Sequence, residues 1–459
     1  MKQLKFISIL ELTKTPPKVI SFIGGGGKTT IISKMASELT AAGHKVLITT
    51  TTKFYPFPKF PLFTEESDSP AKIKLKDYFN NNNAAVFGHR INDEEKIEGI
   101  GTGEVLELNE ELPVTILVEA DGSKGLPVKG YNPDEPVIPG CTDLVIAVAG
   151  AEAVGKPLIS QTVHRPYQLA IAVNARPGSL LNEEKIAMAF GNMLEIAREQ
   201  APDAETLCTL NKVNLLKQDE KGLLKIAKSL SGQPNQPRYF LGTEAKSLEP
   251  VKIIITLGSN KPVPAVSAIV MAAGSASRMG KDKLSLPCGE HTILESTLDN
   301  VRRAGVEDII VVVKPGSEWI DKLTNSGYIL VENHNHTDGQ SSSLKAGLMA
   351  VSNRTQGALF VLGDQPSVTP SLYKKLTDAY KSSFQLATAP LYKGKRGNPT
   401  LFDRRLWPML LNLTGDEGGR PLFKQLERHQ VEYIETEEIA ILKDIDTPDD
   451  YHQLLRDGI

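Results

Sequence analysis

Residues 267–280 are Ser267-Ala-Ile-Val-Met-Ala-Ala-Gly-Ser-Ala-Ser-Arg-Met-Gly280, an apolar run that leads into a segment of small residues. Such an apolar run is typical of a buried strand in a parallel sheet. The small residues after it allow the backbone to approach phosphate oxygens closely, with N–H groups that point inward as donors. The stretch therefore predicts an α/β fold with a phosphate-binding loop at the end of its first strand.

The rest of the second half continues this pattern. After the first strand, Ser267–Met271, further strands are predicted at 308–313, 328–331 and 358–362, and the helical stretch Thr292–Ala304 separates the first two strands. Strands that alternate with helices form parallel sheets, and ligands bind at the carboxyl ends of those strands.

Two cationic side chains accompany the small-residue loop. Arg278 offers a forked charge suited to phosphate, and Lys283 follows five positions later. Both are predicted to neutralise a triphosphate and its pyrophosphate leaving group. Taken alone, a small-residue turn with a surface arginine explains the loop equally well. The loop residues predicted to bind the nucleotide are Ala272, Ala273, Gly274, Ser275 and Gly280.

Carboxylates stand where a metal ion would be needed. Asp364 follows the last predicted strand, at the sheet edge where a carboxylate can hold Mg²⁺ against phosphates. Asp446 is a second candidate Mg²⁺ ligand, and Asp444 would share its face in an extended segment. The alternative is that Asp364 and Asp446 cap the helices predicted at 370–379 and after Thr447.

Three other segments of the second half carry candidate residues. Gln340–Ser343 opens a predicted helix, whose free N–H donors would bind base or phosphate, with Ser343 as a candidate contact. Lys395 and Arg396 are candidates for the phosphate of an acceptor, with a solvated basic turn as the alternative. The sequence assigns no role to Asp416 and Arg420.

Together these motifs resemble the molybdenum cofactor cytidylyltransferases, over nearly all of the second half. The resemblance implies a nucleotidyltransferase that uses Mg²⁺ and transfers CMP from CTP to molybdopterin-bound molybdenum cofactor. It also implies that Asp364 binds the metal, and that Ala273, a glycine in GTP-using relatives, favours a pyrimidine. Asn398 departs from the family's His. The matching segments are 272–284, 333–347, 363–366, 395–399, 414–420 and 444–451.

The first half opens with a related arrangement. A predicted strand, Lys18–Ile23, leads into Gly24-Gly-Gly-Gly-Lys-Thr-Thr30, and an amphipathic helix is expected over 29–42. This is close to the phosphate loop (P-loop), in which backbone N–H groups surround phosphates, the lysine contacts the β- and γ-phosphates and a hydroxyl binds Mg²⁺. Phe22 stands at that motif's first glycine. The residues predicted to bind ATP or GTP are Gly24, Gly25, Gly27, Lys28, Thr29 and Thr30, with Thr29 also on Mg²⁺.

Further strands are predicted in the first half at 45–50, 114–119 and 144–148. The second of these ends near Glu119 and Asp121, either of which would meet Mg²⁺, and Asp121 is taken as the ligand. With 49–53, 119–124 and 164–166, the loop resembles the accessory proteins of selenium-dependent hydroxylases, over roughly the first half. His164 within that set is interpreted as structural.

Turn-forming residues, charge and hydropathy limit the domain number, the class of partner and the location of the protein. Turn-forming residues near 258–265 predict a linker between two domains, residues 1–255 and 263–459. The alternation of strands and helices predicts that both domains are doubly wound, with mainly parallel sheets. A net charge of −3 argues against a nucleic-acid partner. No apolar run is long enough to cross a membrane and no secretory signal is evident, which predicts a cytoplasmic protein.

The interpretation is a fused protein of cofactor maturation. The first half is expected to bind a nucleoside triphosphate and assist maturation of the cofactor for a client molybdenum hydroxylase. Two alternatives stay open. One is a nucleotidyltransferase for a sugar or polyol phosphate, and the other is a delivery chaperone switched by nucleotide.

Overall fold

The structure, a computed structural model, describes residues 5–10, 13, 15–65, 71–216, 220–231, 236–257, 264–274 and 282–456. The chain divides into two compact units, residues 3–262 and 263–459. Each unit has its own sheet and apolar core, and the predicted α/β class is confirmed in both. Among the described residues, no helix combines the length and apolar character that crossing a bilayer requires.

The first unit is built around one large sheet, which contains nine of the thirteen strands described in this unit. Its strands are β1 (Val19–Gly24), β2 (Val46–Thr50), β3 (Lys53–Phe54), β4 (Leu62–Thr64), β5 (Ala84–Gly88), β6 (Ile97–Glu98), β7 (Thr115–Glu119), β8 (Val128–Lys129), β9 (Leu144–Gly150), β10 (Val163–His164), β11 (Glu205–Asn211), β12 (Tyr239–Thr243) and β13 (Val251–Thr256). Its helices are α1 (Ile7–Leu10), α2 (Lys28–Ala41), α3 (Ala71–Asn81), α4 (Thr102–Glu111), α5 (Pro166–Ala172), α6 (Glu183–Gln200) and α7 (Glu220–Leu230).

The nine strands of this sheet are ordered β13-β12-β11-β9-β1-β7-β2-β5-β4, and only β13 runs antiparallel to its neighbour. All six residues of β1 are buried between β7 and β9, as the continuous apolar run predicts. Helix α2 buries Ile31, Met35 and Leu39 in the core beside β1. The loop between β1 and α2 therefore lies at the carboxyl edge of the sheet, where ligands bind in open α/β folds.

The second unit has a smaller, mixed sheet. Its strands are β14 (Ala265–Ala272), β15 (Pro287–Cys288), β16 (His291–Thr292), β17 (Asp308–Val313), β18 (Ile329–Glu332), β19 (Thr355–Leu362), β20 (Ala387–Tyr392), β21 (Lys395–Arg396), β22 (Thr400–Asp403) and β23 (Val431–Glu435). Its helices are α8 (Ile293–Arg303), α9 (Trp319–Leu323), α10 (Gln340–Ala350), α11 (Pro370–Ser383), α12 (Trp407–Leu410), α13 (Arg420–Phe423) and α14 (Pro448–Arg456).

This sheet is ordered β18-β17-β14-β19-β22-β20-β21, with β23 beside β20. Strands β14, β17, β18 and β19 are parallel, whereas β22 runs antiparallel to both of its neighbours. Because β14 and β19 are adjacent and parallel, their carboxyl ends meet at one edge. The residues described directly after β14 and those after β19 are thereby brought together.

Candidate functional site

Two carboxylates and a lysine converge at the carboxyl edge of the second sheet. The Nζ of Lys283 lies 2.5 Å from Oδ2 of Asp364 and 2.8 Å from Oδ1 of Asp446. Asp364 follows β19, Lys283 lies after the loop that follows β14, and Asp446 precedes α14. The fold thus places three of the residues selected from the sequence in direct contact.

A third carboxylate belongs to this cluster. Burial raises the pKa of Asp444, and the nearby charges of Asp364 and Asp446 raise it further. Nε2 of Gln365 donates a hydrogen bond of 2.8 Å to Oδ1 of Asp444. Burial lowers the pKa of Lys283, but its carboxylate partners outweigh that effect and leave it raised. The local sequence around Gln365 indicates no role for it, because its partner is distant in the chain.

The helix-capping alternatives for these aspartates are not what the structure shows. The Thr369 side chain caps α11 by accepting from the Leu372 N–H at 3.3 Å. At α14, the Thr447 hydroxyl accepts from the Asp450 N–H at 3.2 Å, and Asp450 accepts from the Thr447 N–H in return. Asp364 and Asp446 therefore do not cap these helices, and both side chains contact Lys283 instead.

The donor set of this cluster suits a hard divalent cation. It offers oxygen atoms from three carboxylates that repel one another, and Mg²⁺ prefers such oxygen ligands next to phosphates. Asp446 is half exposed, with 52% of its side-chain surface accessible, so the cluster opens to solvent.

Only part of the predicted phosphate loop of this unit is described. Ala272 and Ala273 are buried, and Ala273 belongs to the apolar core. Gly274 is exposed. Ser275, Arg278 and Gly280 lie outside the described residues.

The start of α10 differs from what the sequence predicted. The N–H of Gln340 donates to Oδ1 of Asp416 at 3.1 Å, and the N–H of Ser341 donates to the Gly415 carbonyl at 3.0 Å. The prediction of free N–H donors at these two positions is therefore wrong, because a distant loop already accepts from them. Asp416 caps this helix. Ser343 is buried, and its hydroxyl oxygen accepts a hydrogen bond from Nδ2 of Asn333 at 3.0 Å.

A cavity of about 150 Å³ adjoins the carboxylate cluster. Two arginines line it, and the guanidinium of Arg396 stacks over Phe423 with its carbon 3.7 Å from the ring centre. Burial lowers the pKa of Arg396, and the charge of Arg420 lowers it slightly further. The cavity's other walls include Met271, Leu362, Asn398 and Asp444. It combines an apolar floor, from the ends of β14 and β19, with two positive charges.

The glycine loop of the first unit is held tightly by its neighbours. Gly24, Gly26 and Gly27 have φ values of +100°, +73° and +113°, which side chains rarely adopt. A Cβ on Gly24 would lie 2.1 Å from the Val148 carbonyl, and one on Gly26 would lie 2.2 Å from the Gly150 nitrogen. The loop thus requires glycine for its own packing as well as for any ligand.

This loop already uses its first N–H groups within the protein. Gly24 donates to Oδ2 of Asp121 at 2.9 Å, Gly25 to the Val148 carbonyl at 2.9 Å and Gly26 to the Leu126 carbonyl at 3.0 Å. The expectation that Gly24 and Gly25 donate to phosphate therefore does not match this conformation. The donors placed for an anion are those of the first turn of α2, which starts at Lys28.

The side chains that follow the loop contact two carboxylates. Nζ of Lys28 lies 2.8 Å from Oδ1 of Asp121 and donates to the Gly24 carbonyl at 2.5 Å. The hydroxyl of Thr29 donates to Oε2 of Glu119 at 3.1 Å. Burial raises the pKa of Glu119, which the nearby Lys28 partly offsets.

These contacts reassign the predicted metal ligand. Asp121 is fully buried and is held by Lys28, Lys129 and the Gly24 N–H, which leaves it badly placed to coordinate a cation. Glu119 is the carboxylate beside Thr29, so the pair that fits Mg²⁺ is Thr29 and Glu119. Sequence spacing cannot separate the two, because one acid ends strand β7 and the other lies two residues beyond it.

The structure also places Asn211 and His164 of the first unit. Nδ2 of Asn211 donates to the Gly26 carbonyl at 2.9 Å, and its Oδ1 accepts from the Ala245 N–H at 3.1 Å. Asn211 thus braces the loop. His164 pairs in register with Lys129 between β10 and β8. Burial lowers the pKa of His164, and nearby cations add to this effect.

With this geometry in place, comparison with known proteins separates the two halves. Residues 20–167 match the family model of the YqeC protein, and residues 268–431 match that of the MobA-like NTP transferase domain. The chain carries a YqeC domain followed by a MobA-like NTP transferase domain. Its second half is a nucleotidyltransferase. The resemblances drawn from the sequence motifs of both halves are thereby confirmed.

Individual relatives give the same division. YqeC of Escherichia coli K12 is 35% identical over 169 residues, 36% of this chain and 64% of that protein, so the chain spans less than two thirds of its length. The molybdenum cofactor cytidylyltransferase of the same strain is 29% identical over 188 residues, 41% of this chain and 94% of that protein. The purine catabolism protein PucB of Bacillus subtilis 168 is 27% identical over 202 residues, 42% and 97% of the two chains.

Proposed function

We propose that the second unit transfers CMP from CTP to the terminal phosphate of a molybdopterin-type cofactor and releases pyrophosphate. The observation that carries this proposal is the contact of Lys283 with Asp364 and Asp446 at the sheet edge, next to a cavity lined by two arginines. Similarity to a molybdenum cofactor cytidylyltransferase along 94% of that enzyme supports the choice of acceptor.

The donor nucleotide is assigned to the carboxylate side of the site. Lys283 can leave its carboxylate partners for the phosphates and neutralise the charge that builds on pyrophosphate as it departs. Asp364, Asp444 and Asp446 would hold Mg²⁺, which supplies positive charge to the phosphate oxygens. CTP is preferred to GTP on the motif resemblance alone. Ala272 and Ala273 are buried, so their side chains add no argument about the base.

The acceptor is assigned to the cavity. Arg396 and Arg420 would hold its terminal phosphate, and the apolar floor suits the flat ring system of a pterin. An oxygen of that phosphate forms a bond to the α-phosphorus of CTP, while the bond from that phosphorus to the β-phosphate oxygen breaks. This reaction needs no nucleophile from the protein, because catalysis lies in alignment and charge stabilisation.

For the first unit, we propose binding of ATP or GTP with Mg²⁺ at Lys28, Thr29 and Glu119, in support of cofactor maturation for a molybdenum hydroxylase. We also propose that residues 1–255 and 263–459 act as separate domains. A nucleotide-switched delivery protein is the other candidate for the first unit, since its lysine is paired inside the protein before any ligand arrives.

The test is pyrophosphate release by the full chain with Mg²⁺. Reactions would contain CTP, GTP or ATP as donor, with molybdopterin-type cofactor or a sugar phosphate as acceptor. Turnover is expected with CTP and the pterin acceptor. Faster release with GTP would overturn the base assignment, and faster release with sugar phosphate would overturn the acceptor.

A further inference from the structure

A row of alternating charges runs behind the glycine loop of the first unit. Nζ of Lys28 is 2.8 Å from Oδ1 of Asp121, and Nζ of Lys129 is 3.5 Å from Oδ2 of the same carboxylate. Lys129 is also 2.9 Å from Oε2 of Glu135, whose Oε1 accepts from Nη2 of Arg165 at 2.8 Å. The row is therefore Lys28, Asp121, Lys129, Glu135 and Arg165.

The inner part of this row is sealed from water. The side chains of Lys28, Asp121 and Lys129 are 2%, 0% and 0% exposed. Buried charges depend on one another, because solvent cannot replace a partner that is lost. Any ligand that recruits one of these groups must therefore rearrange the others.

Lys28 is the group that a triphosphate would recruit. In a phosphate loop, this lysine contacts the β- and γ-phosphate oxygens. Here its ammonium is committed to Asp121 and to the Gly24 carbonyl. A bound triphosphate must therefore draw Lys28 away from Asp121, at least in part.

Asp121 keeps other partners when that happens. Lys129 lies on its far side, and the Gly24 N–H donates to it at 2.9 Å. The more Lys129 shares the charge of Asp121, the less Lys28 is needed there. The ammonium group of Lys129 is itself shared among several acceptors, because it also donates to Glu135 and to the Gly122 carbonyl.

We propose that Asp121 competes with a bound triphosphate for Lys28, and that Lys129 is a positioning residue that weakens this competition by sharing the Asp121 carboxylate. The inference rests on the proposed binding of a nucleoside triphosphate by the first unit. It makes the affinity of the loop depend on a residue about a hundred positions away in the chain that touches no phosphate.

Two substitutions should shift affinity in opposite directions. Asp121→Asn keeps an oxygen for the Gly24 N–H but releases Lys28, so the Kd for a non-hydrolysable ATP or GTP analogue should fall about tenfold, the scale of one charge-assisted hydrogen bond. Lys129→Met fills the same space and leaves Lys28 as the only cation paired with Asp121 among the described residues, so the Kd should rise about tenfold. Isothermal titration of the full chain with Mg²⁺ measures both.

The double variant separates competition from simple charge effects. If each residue acts on the ligand only through its field, the two changes add and the double variant binds like wild type. Under competition, Lys129 has no effect once Asp121 is gone, so the double variant should bind like Asp121→Asn. Additive behaviour in this cycle would overturn the proposal.

Lys129→Met alone provides a test that does not need the aspartate variant to fold. It leaves each carboxylate one cation, since Asp121 keeps Lys28 and Glu135 keeps Arg165. It should weaken the triphosphate analogue but not the nucleoside monophosphate, which does not reach Lys28. Equal weakening of both would contradict the inference. No triphosphate binding by the wild-type chain would instead refute the proposed function of the unit.

Discussion

The two proposed phosphate sites of this protein handle their charges in opposite ways. In the first unit, Lys28 is 2% exposed and paired with a fully buried carboxylate. In the second unit, Lys283 is 18% exposed, and one of its partners, Asp446, is 52% exposed. A buried pair must be broken before a ligand can bind, whereas an open cluster can exchange a lysine for a metal ion with water at hand. The first arrangement suits a switch, and the second suits repeated turnover.

The largest effect is expected from Asp364→Asn in the open cluster. The amide keeps the size of the side chain but loses the charge proposed to bind Mg²⁺, so the transfer rate should fall about 100-fold or more. The melting temperature should stay near wild type, because Thr369 caps α11. Pyrophosphate release and thermal unfolding measure the two quantities.

The matched control for that variant is Asp378→Asn. Asp378 pairs with Lys374 on the exposed surface of α11, one turn away. It should change neither rate nor stability appreciably. If Asp364→Asn keeps most of its turnover and melts earlier, Asp364 has a structural role and the metal is held by the other two carboxylates.

The next effect tests whether the two sites are independent. Lys28→Ala should abolish nucleotide binding by the first unit and leave cytidylyl transfer nearly unchanged. The reason is that each unit has its own sheet, and the proposed phosphate sites lie on different sheets. Titration with an ATP analogue and pyrophosphate release with CTP measure the two activities, and Lys34→Ala on the same helix is the control. A large loss of transfer in Lys28→Ala would show that the units are coupled.

Arg396→Gln should have a smaller and more selective effect. Loss of the guanidinium beside Phe423 should raise KM for the acceptor about tenfold, since a phosphate loses one charge-assisted contact. The KM for CTP should not change, because the donor is assigned to the carboxylate side. Arg303→Gln, at an exposed helical pair, is the control. An equal rise in both KM values would place Arg396 elsewhere in the reaction.

The sequence predicted those features that depend on neighbouring residues in the chain. The runs at 18–23 and 267–271 fall within or beside buried central strands, and the helix expected from residue 29 begins at Lys28. The position of Asp364 at the ligand-binding edge of the sheet followed from a general rule, because parallel strands end at one edge. Local pattern is sufficient for such elements.

Features that depend on contacts between distant residues could not be predicted from the sequence. Asp416 caps α10 across 76 positions, and that contact removes helix N–H donors that the local pattern leaves free. Glu119 ends β7 and Asp121 lies two residues beyond it, yet only the partners supplied by β8 and by the glycine loop decide which is buried among cations. Periodicity carries no information about such pairings, since they are fixed by tertiary packing.

The smallest effect concerns the outer end of the buried row and sharpens the contrast between the sites. A hydrogen bond from Arg165 and the charge of Lys129 hold the pKa of Glu135 at about 2, against burial, which raises it. Because this pKa lies below the ordinary value of 4.5, the charged pair stabilises the fold fully above pH 4.5 and loses that effect as the pH falls toward 2. Glu135→Gln should therefore lower the free energy of unfolding at pH 7 by about 1–2 kcal/mol, discounted for the partial exposure of the side chain. The difference from wild type should shrink below pH 4.5, since a protonated glutamate resembles glutamine.

Denaturant unfolding of Glu135→Gln and wild type at pH 7, 4 and 3 measures this difference, with Glu94→Gln at an exposed pair as the control. A difference that stays constant down to pH 3 would mean that Glu135 acts through packing, and the row would then end at Lys129.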